Sequence, residues 1–182
     1  MERKSVADGG GNVIDRSNGS GLRLRPATAQ DRTRIRRWLV EPQARVWWGD
    51  AASAEAEISL AMGSQAALCR IVEEGAAPIG YGQAVECGLW CGPLPQELPA
   101  GTWEIDLLIV SEQRRRQSLA AALALLVEEV FATTLAIACC GLVPISNEAA
   151  ARAYERAQFR WREIWNDPLL GPTWVMLRER PS

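Results

Sequence analysis

Histidine is absent from this chain of 182 residues. Its absence excludes a Ser-His or Cys-His catalytic pair and removes the commonest protein ligand of transition metals. Any acid–base step must therefore use a carboxylate, a tyrosine, a thiol or water. The five cysteines are odd in number, and two are adjacent in the apolar run LAIACCGLV, as is typical of a buried strand. We expect reduced thiols and no metal site. The alternative is a zinc site formed by Cys87, Cys91, Cys139 and Cys140.

Long hydrophobic runs are also missing. The run LAAALALLV ends at Glu128 and Glu129, well short of the roughly 18 residues of a membrane span. The segment MERKSVADGGG has no apolar core of the kind found in signal peptides. A formal net charge of -2 argues against general nucleic-acid binding. These absences predict a cytoplasmic protein with no membrane and no nucleic-acid partner.

The composition is that of an ordinary globular protein, 48% hydrophobic and 23% charged, in a chain about one domain long. Residues 1–21 show no hydrophobic periodicity, so we expect a disordered tail there and a single domain over 22–182. Alternating and helical patterns predict the order β-α-α-β-β-β-α-β-α-β-β, typical of an α/β fold with a mixed sheet and helices on both faces. This interpretation leaves EPQARVWWGD as a loop and places the third helix from about Ser118 to Ala132.

Three consecutive arginines, Arg114 to Arg116, stand between the apolar strand pattern TWEIDLLIV and that third helix. A helix that follows a strand presents backbone N–H groups without intrahelical partners, together with the positive end of the helix dipole. Arginine adds fork-shaped hydrogen bonds to phosphate. The pattern indicates a phosphate-binding turn, with a merely solvated basic turn as the alternative.

A second motif lies downstream in PISNEAAARAYERAQF, which contains Asn147, Tyr154 and Phe159. Together with the arginine turn, it resembles the GCN5-related N-acetyltransferases (GNAT) over roughly residues 22–180. The resemblance implies a mixed, mostly antiparallel sheet, splayed at its central strands to hold acetyl-CoA as co-substrate. The family's turn, (Gln/Arg)-x-x-Gly-x-(Gly/Ala), is matched here by Arg115, Arg116, Gln117, Ser118, Leu119 and Ala120. Ser118 and Arg116 stand where the family has glycines, so we expect weakened CoA binding.

The likeness extends to the aminoglycoside N-acetyltransferases of the 6′ type and their kasugamycin 2′-acetylating relatives, which confer antibiotic resistance. It is carried by VWWGD at 46–50, PIGYGQ at 78–83, EIDLLIV at 104–110 and the series from Pro144 to Phe159. The 6′ enzymes often have an aspartate just before the proline matched by Pro144, but Val143 stands here. The resemblance implies direct acetyl transfer in a ternary complex, to a 6′ or a 2′ amino group.

Two carboxylates are conspicuous on the strand pattern TWEIDLLIV. Glu104 and Asp106 have the same parity and project from one face, whereas the intervening apolar residues project from the other. One of them, buried among apolar neighbours, could have a raised pKa and accept the amine proton, while the other pairs with a cationic substrate. By resemblance, Asp106 matches the strand aspartate of the 6′ enzymes and is the first candidate. A structural ion pair with an arginine is the alternative.

The resemblance also assigns the remaining roles. Backbone groups of Leu108, Ile109 and Val110 would meet the co-substrate, with the N–H groups near Ile109 and Val110 receiving the thioester oxygen. Tyr154 would protonate the departing CoA thiolate, and Asn147 would cap its helix and contact the CoA arm. Aromatic and acidic residues near the acceptor groove suit sugar rings and ammonium groups, and these candidates are Trp47, Trp48, Asp50, Trp90, Trp103, Glu86 and Glu97. We expect Trp38, Trp161, Trp165 and Trp174 in the core or in a homodimer contact.

Two alternatives remain open from the sequence. The acceptor could instead be a protein N-terminus or a small metabolic amine, with the same fold and co-substrate. The other alternative is a non-catalytic ligand-binding module, which Ser118 and Arg116 favour and which Asn147 and Tyr154 oppose.

Overall fold

The computed structural model describes residues 21–89, 94–110 and 112–182, without the side chains of Glu112, Gln113, Arg115 and Arg116. The predicted tail up to residue 20, Trp90 and Cys91 therefore lie outside the described residues. The strands are β1 (Leu22–Pro26), β2 (Ala67–Glu74), β3 (Ala77–Glu86), β4 (Thr102–Ile109), β5 (Ala138–Pro144), β6 (Arg160–Asp167) and β7 (Gly171–Glu179). The α-helices are α1 (Arg32–Leu39), α2 (Pro42–Trp48), α3 (Ala51–Met62), α4 (Glu112–Thr133) and α5 (Glu148–Arg156).

The strands of the described chain form one seven-stranded sheet in the order β1-β2-β3-β4-β5-β7-β6. Every neighbouring pair is antiparallel except β4 and β5, which are parallel. The predicted mixed, mostly antiparallel sheet is therefore confirmed. The parallel pair forms because α4 connects β4 to β5 as a crossover.

The sheet opens between β4 and β5. Their pairing ends after three partners, the last being Glu104 with Cys140, although β4 continues to Ile109. Beyond that point the two strands diverge and expose the edge of β4 that faces β5. This opening is the splay that the sequence resemblance predicted.

Helices cover both faces of the sheet, as predicted. Helices α4 and α5 bury one face, where Ile105, Ile109 and Leu126 are almost fully inaccessible to solvent. Helices α1, α2 and α3 cover the other, where Tyr81 and Leu108 belong to a separate core cluster. Because alternate strand residues face opposite sides, these two cores share the same strands without mixing.

The first helical turn has a capping box at Thr28. The Thr28 backbone N–H donates to Asp31 Oδ2 at 2.9 Å, which is half of a capping box. Arg25 donates two hydrogen bonds to the same carboxylate, at 2.7 and 2.8 Å. Asp31 is buried, and this arginine holds the pKa of its carboxyl well below the usual range.

Two helical boundaries differ from the sequence prediction. The expected loop EPQARVWWGD contains α2, because Pro42 at its first position presets the helical φ angle. Helix α4 begins at Glu112 instead of near Ser118, because glutamate, glutamine and arginine are good helix formers. The N–H groups without an intrahelical acceptor therefore belong to residues 112–115, one to two turns ahead of Ala120.

The first arginine of the basic segment has a neighbour in the sheet. Arg114 Nη1 lies 3.7 Å from Glu74 Oε2 at the end of β2. The predicted phosphate contact of this arginine therefore competes with an ion pair. No helix within the described parts of the chain has the length and hydropathy of a membrane span.

Candidate active site

Tyr154 fills the gap where β4 and β5 diverge. Its hydroxyl donates a hydrogen bond of 2.6 Å to the carbonyl oxygen of Ile105, one residue past the last β4–β5 pair. Its ring lies against Gly141 of β5, where an added Cβ would stand only 2.1 Å from the ring. Phe159 packs edge-on to the same ring at 4.9 Å. Burial, followed by the nearby Asp106 and Glu104, raises the pKa of Tyr154 well above its usual value, so the hydroxyl keeps its proton.

A cleft of about 640 Å³ extends from this opening between α2, β4 and α5. Its wall includes the splayed end of β4 and Leu119 of α4. The remaining lining residues are Gln43, Trp47, Trp48, Asn147, Ala149, Ala150, Arg152, Ala153 and Arg156. Such an open, elongated cleft beside exposed strand backbone fits an extended ligand.

The backbone of β4 is divided between two neighbours. The Val110 N–H donates to the Ile79 oxygen of β3 at 3.0 Å, so the expectation that it receives a thioester oxygen is wrong in this arrangement. Leu108 has the same parity and also directs its backbone towards β3, whereas Leu107 and Ile109 direct theirs towards the β5 side. Strand alternation, which the sequence prediction applied only to side chains, accounts for the difference.

Glu104 and Asp106 project from the face of the sheet that α1 to α3 cover. Gln83 Nε2 donates to Asp106 Oδ2 at 3.2 Å, and the Tyr81 hydroxyl donates to Gln83 Oε1 at 3.1 Å. Burial raises the pKa of Asp106 to about 6, while the Gln83 hydrogen bond lowers it and Glu57 of α3 raises it. Among the described side chains, neither carboxylate forms an ion pair with an arginine.

The carboxyl of Glu104 is also perturbed. Burial raises its pKa well above the usual range, and Asp106, Cys87, Asp167 and Glu57 add to that effect in this order. Glu57 of α3 and Asp167 of β6 therefore add to the negative charge around Glu104 on this face. A bound cation would be favoured on this face, because it offsets the negative charge of these groups.

A pair of thiols lies beside these carboxylates. Cys87 Sγ and Cys140 Sγ are 3.9 Å apart and buried, whereas Cys139 faces the core under α4. Adjacent residues of a strand point to opposite faces, so Cys139 and Cys140 cannot ligate one ion together. Within the described residues, no three metal-type side chains are grouped.

Helix α2 carries the aromatic wall of the cleft. Trp47 and Trp48 both line it, and Trp48 packs edge-on to Tyr81 with ring centroids 6.3 Å apart. Gln43 anchors the helix to the sheet, because its Nε2 donates to the Val110 oxygen at 2.6 Å. The structure thus brings both tryptophans of the WWG segment to the open end of β4.

Two other predicted acceptor residues have structural positions. Trp103 is only 6% exposed and belongs to the core under α4, on the face opposite Glu104, so the expected substrate contact is wrong. The strand pattern TWEIDLLIV already included Trp103, and strand alternation places it on the face opposite Glu104. Asp50 is the N-cap of α3 and accepts hydrogen bonds from the backbone of Ala52 and Ser53, which occupies one of its carboxylate oxygens.

Asn147 is both a helix cap and a cleft residue. Its Oδ1 accepts a hydrogen bond of 3.2 Å from the Ala150 N–H at the start of α5. Arg152 and Arg156 follow on the same helix and line the cleft, and Arg152 is also paired with Glu148 at 3.1 Å. The cleft therefore has basic side chains on its α5 side.

Sequence reasoning missed several groups of this site, namely Gln43, Glu57, Tyr81, Gln83, Arg152 and Arg156. A signal existed for two of them, because Tyr81 and Gln83 share one parity in the quoted strand PIGYGQ. Their contact with Asp106 depends on the β3–β4 register, in which Gln83 lies opposite Asp106. No local pattern reports that register.

A family model described as the acetyltransferase (GNAT) domain matches residues 27–166. The chain belongs to the GNAT acetyltransferase family. This GNAT chain is an acetyl-CoA-dependent N-acetyltransferase, with acetyl-CoA as its co-substrate. The family predicted from the arginine turn and the Asn147 motif is thereby confirmed.

Solved structures share the fold of this acetyltransferase. Aminoglycoside acetyltransferase AAC(6')-Ib in complex with coenzyme A matches with a TM-score of 0.76 and 24% identity, covering 87% of this chain and 95% of that one. An aminoglycoside N(6')acetyltransferase from Legionella pneumophila matches with a TM-score of 0.67 and 16% identity, covering 91% and 94%. A chimeric spermidine N-acetyltransferase from Vibrio cholerae and hSSAT matches with a TM-score of 0.69 and 15% identity, covering 88% and 96%. No curated protein sequence matches the chain.

Proposed function

We propose that this acetyltransferase modifies an amino group of an aminoglycoside and so confers resistance to that antibiotic. The observation that carries the proposal is the acidic face covered by α1 to α3, where Glu104 and Asp106 project from β4 without an arginine partner among the described side chains, and where Glu57 and Asp167 add negative charge. An acceptor with several ammonium groups relieves this repulsion, whereas a neutral acceptor does not. Solved relatives of the same fold are complexes with kanamycin and with ribostamycin.

The aromatic wall supports the same class of acceptor. Trp47 and Trp48 offer flat apolar surfaces next to the acidic face, and sugar rings pack on such surfaces while their ammonium groups face carboxylates. Val143 is 3% exposed and stands where the 6′ enzymes often carry an aspartate. The modified position is therefore proposed as 6′ or 2′, with kasugamycin among the substrates to be tested.

The cleft fits acetyl-CoA as the second ligand. We propose that the pantetheine arm lies along the splayed edge of β4 near Ile109, with Asn147 and Leu119 at its sides. The phosphates would be held at the start of α4 by the free N–H groups of residues 112–115 and by side chains of the segment Arg115 to Ala120, and Arg156 is a further candidate. The bound co-substrate supplies an activated acetyl thioester.

Side chains of the protein are placed to carry out the two proton transfers of the reaction. Asp106 has a pKa of about 6 and is largely ionised at neutral pH, so its carboxylate is suited to accept the proton of the attacking amine, with Glu104 as the alternative. Tyr154 keeps its proton and is suited to donate it to the leaving thiolate, after exchanging its bond to the Ile105 oxygen. We propose direct transfer in a ternary complex, without an acyl-enzyme.

The test is acetyl-CoA consumption, followed as free thiol, with kanamycin, tobramycin, gentamicin, kasugamycin, spermidine and a basic peptide as acceptors. Turnover with an aminoglycoside supports the proposal. Reaction with kanamycin and tobramycin favours the 6′ position, and reaction with kasugamycin alone favours the 2′ position. Absence of turnover with every aminoglycoside refutes the proposal.

A small metabolic polyamine is the second candidate. The acidic face would attract a linear polycation as well, and a spermidine N-acetyltransferase shares the fold. Turnover with spermidine but not with the aminoglycosides would select this candidate. If acetyl-CoA stabilises the protein against heat but no acceptor reacts, a different amine is indicated.

A further inference from the structure

Asp106 is held by a buried amide that reaches it from the neighbouring strand. We propose that Gln83, oriented by Tyr81, is a positioning residue that keeps Asp106 ionised and turns its second carboxylate oxygen to the acceptor amine. The proposal rests on the role of Asp106 as proton acceptor given above. It adds two residues for which the sequence indicated no role.

The orientation of the Gln83 amide follows from its partners. Gln83 is 4% exposed and Tyr81 is fully buried, so neither can exchange its contact for water. The Tyr81 hydroxyl donates to Gln83 Oε1 at 3.1 Å. The other end of the amide is then an N–H group, and it faces Asp106 Oδ2 at 3.2 Å. A carboxylate can only accept, so this orientation matches ionised Asp106.

Tyr81 has further contacts beyond Gln83. The Tyr81 hydroxyl interacts with the Cys69 thiol of β2, and the Trp48 ring packs edge-on against the Tyr81 ring. The aromatic wall of the cleft therefore restrains the residue that orients Gln83. This links α2 to Asp106 through a buried path.

The groups around Asp106 determine how strongly its ionisation depends on the Gln83 amide. The titratable groups that interact with it from the packed elements are acidic or neutral, namely Glu57, Tyr81, Cys87, Glu104, Cys140 and Tyr154. Each of these either repels a negative charge or leaves it unchanged. Among the described residues, the Gln83 N–H is the contact that lowers the pKa of Asp106.

One oxygen of Asp106 is left for the substrate. Gln83 binds Oδ2, and within the described residues no donor reaches Oδ1. Holding one oxygen fixes the plane of the carboxylate, so the other points in a constant direction. Removing the amide should therefore change both the ionisation of Asp106 and the orientation of its carboxylate.

The decisive variant is Gln83→Met, which preserves length and apolar volume but removes the donor. We expect the titration midpoint of Asp106 to rise by about one pH unit, because a hydrogen bond to the charged form is lost. The midpoint is measured by NMR of aspartate labelled at the carboxyl carbon, with the Asp106 signal assigned by its loss in Asp106→Asn. Thr102→Val, which removes a hydroxyl at the other end of β4, should leave the midpoint unchanged.

A milder variant keeps the test decisive if Gln83→Met does not fold. Tyr81→Phe removes only the hydroxyl that orients the amide, and it should raise the Asp106 midpoint by a smaller amount. A folded Gln83→Met protein, or failing that a folded Tyr81→Phe protein, with an unmoved Asp106 midpoint overturns the proposal.

The pH profile of kcat/KM separates this proposal from the proposed function. In Gln83→Met, its acidic limb should move with the NMR midpoint. If the NMR midpoint moves but the acidic limb does not, Gln83 still tunes Asp106, and the role of Asp106 as the base is refuted. If both stay in place, the positioning role of Gln83 is refuted.

Discussion

Replacing Tyr154 by phenylalanine removes one oxygen atom from the centre of the splay. The ring keeps its place between β4 and Gly141, but the Ile105 carbonyl loses the 2.6 Å hydrogen bond that it accepts. Leaving a buried acceptor without a donor costs about 1–3 kcal/mol in the free energy of unfolding. The fold should survive this loss, because the ring packing against Phe159 is unchanged.

The same substitution has a separate effect on catalysis if the hydroxyl donates the proton to the leaving thiolate. General acid catalysis contributes typically about 10²–10⁴-fold, so kcat should fall by about that factor. The KM for acetyl-CoA should change little, because the hydroxyl acts on charge that develops only during the reaction. A purely structural hydroxyl would lower stability and leave kcat near its original value.

Two measurements on each variant separate these effects. Thiol release at saturating acceptor gives kcat, and chemical denaturation gives the free energy of unfolding. Thr102→Val is the matched control, since its buried hydroxyl also donates to a backbone carbonyl, that of Pro99 at 2.7 Å. The control should lose less stability, because the Pro99 oxygen still accepts from the Thr102 N–H at 3.1 Å, and it should keep its kcat. A kcat for Tyr154→Phe within threefold of the wild-type value would refute the acid role.

Four further outcomes are expected. Asp106→Asn should lower kcat/KM by about 100-fold or more, because the base is lost. In the wild-type protein, kcat/KM should decrease as the pH falls through a midpoint near 6, because the base must be ionised. A pH profile of kcat/KM tests this, and a pH-independent rate would contradict it. Trp48→Ala should raise the KM for the acceptor by roughly tenfold through lost ring contacts, and an unchanged KM would remove it from the acceptor wall. Gly141→Ala should cost about 1–3 kcal/mol in thermal unfolding, because its Cβ would stand 2.1 Å from the Tyr154 ring. Asp31→Asn should lower the free energy of unfolding by roughly 2 kcal/mol at neutral pH, allowing for the partial exposure of Arg25. Because Arg25 depresses the pKa of Asp31, this difference between variant and wild type should shrink as the pH falls below about 4. Denaturation at several pH values would detect the change.

Local patterns in the sequence determined a large part of this protein. Strand parity put Glu104 and Asp106 on one face, because successive strand residues alternate whatever the strand pairs with. The capping box at Thr28 and the N-cap at Asn147 also follow from short-range hydrogen bonds. Each of these features depends on residues within a few positions of one another. The GNAT family could be read from two such local motifs.

Boundaries were less predictable where propensity competes with context. The sequence left α2 as a loop and began α4 six residues late, since polar residues suit both helices and turns. Trp103 was assigned to the acceptor groove although its parity in the strand TWEIDLLIV puts it on the face opposite Glu104, where it is buried in the core under α4.

Only the tertiary structure decided which of these residues meet. Gln83 reaches Asp106 across 23 positions and Tyr154 reaches Ile105 across 49, through strand register and through the divergence of β4 from β5. Glu57 and Asp167 join the acidic face from α3 and β6 in the same way. Register and divergence arise from packing of the whole sheet against its helices, so they leave no periodic trace in any one segment. The sequence determined which chemical groups are present and which faces they occupy, and the packing of the sheet assembled them into one site.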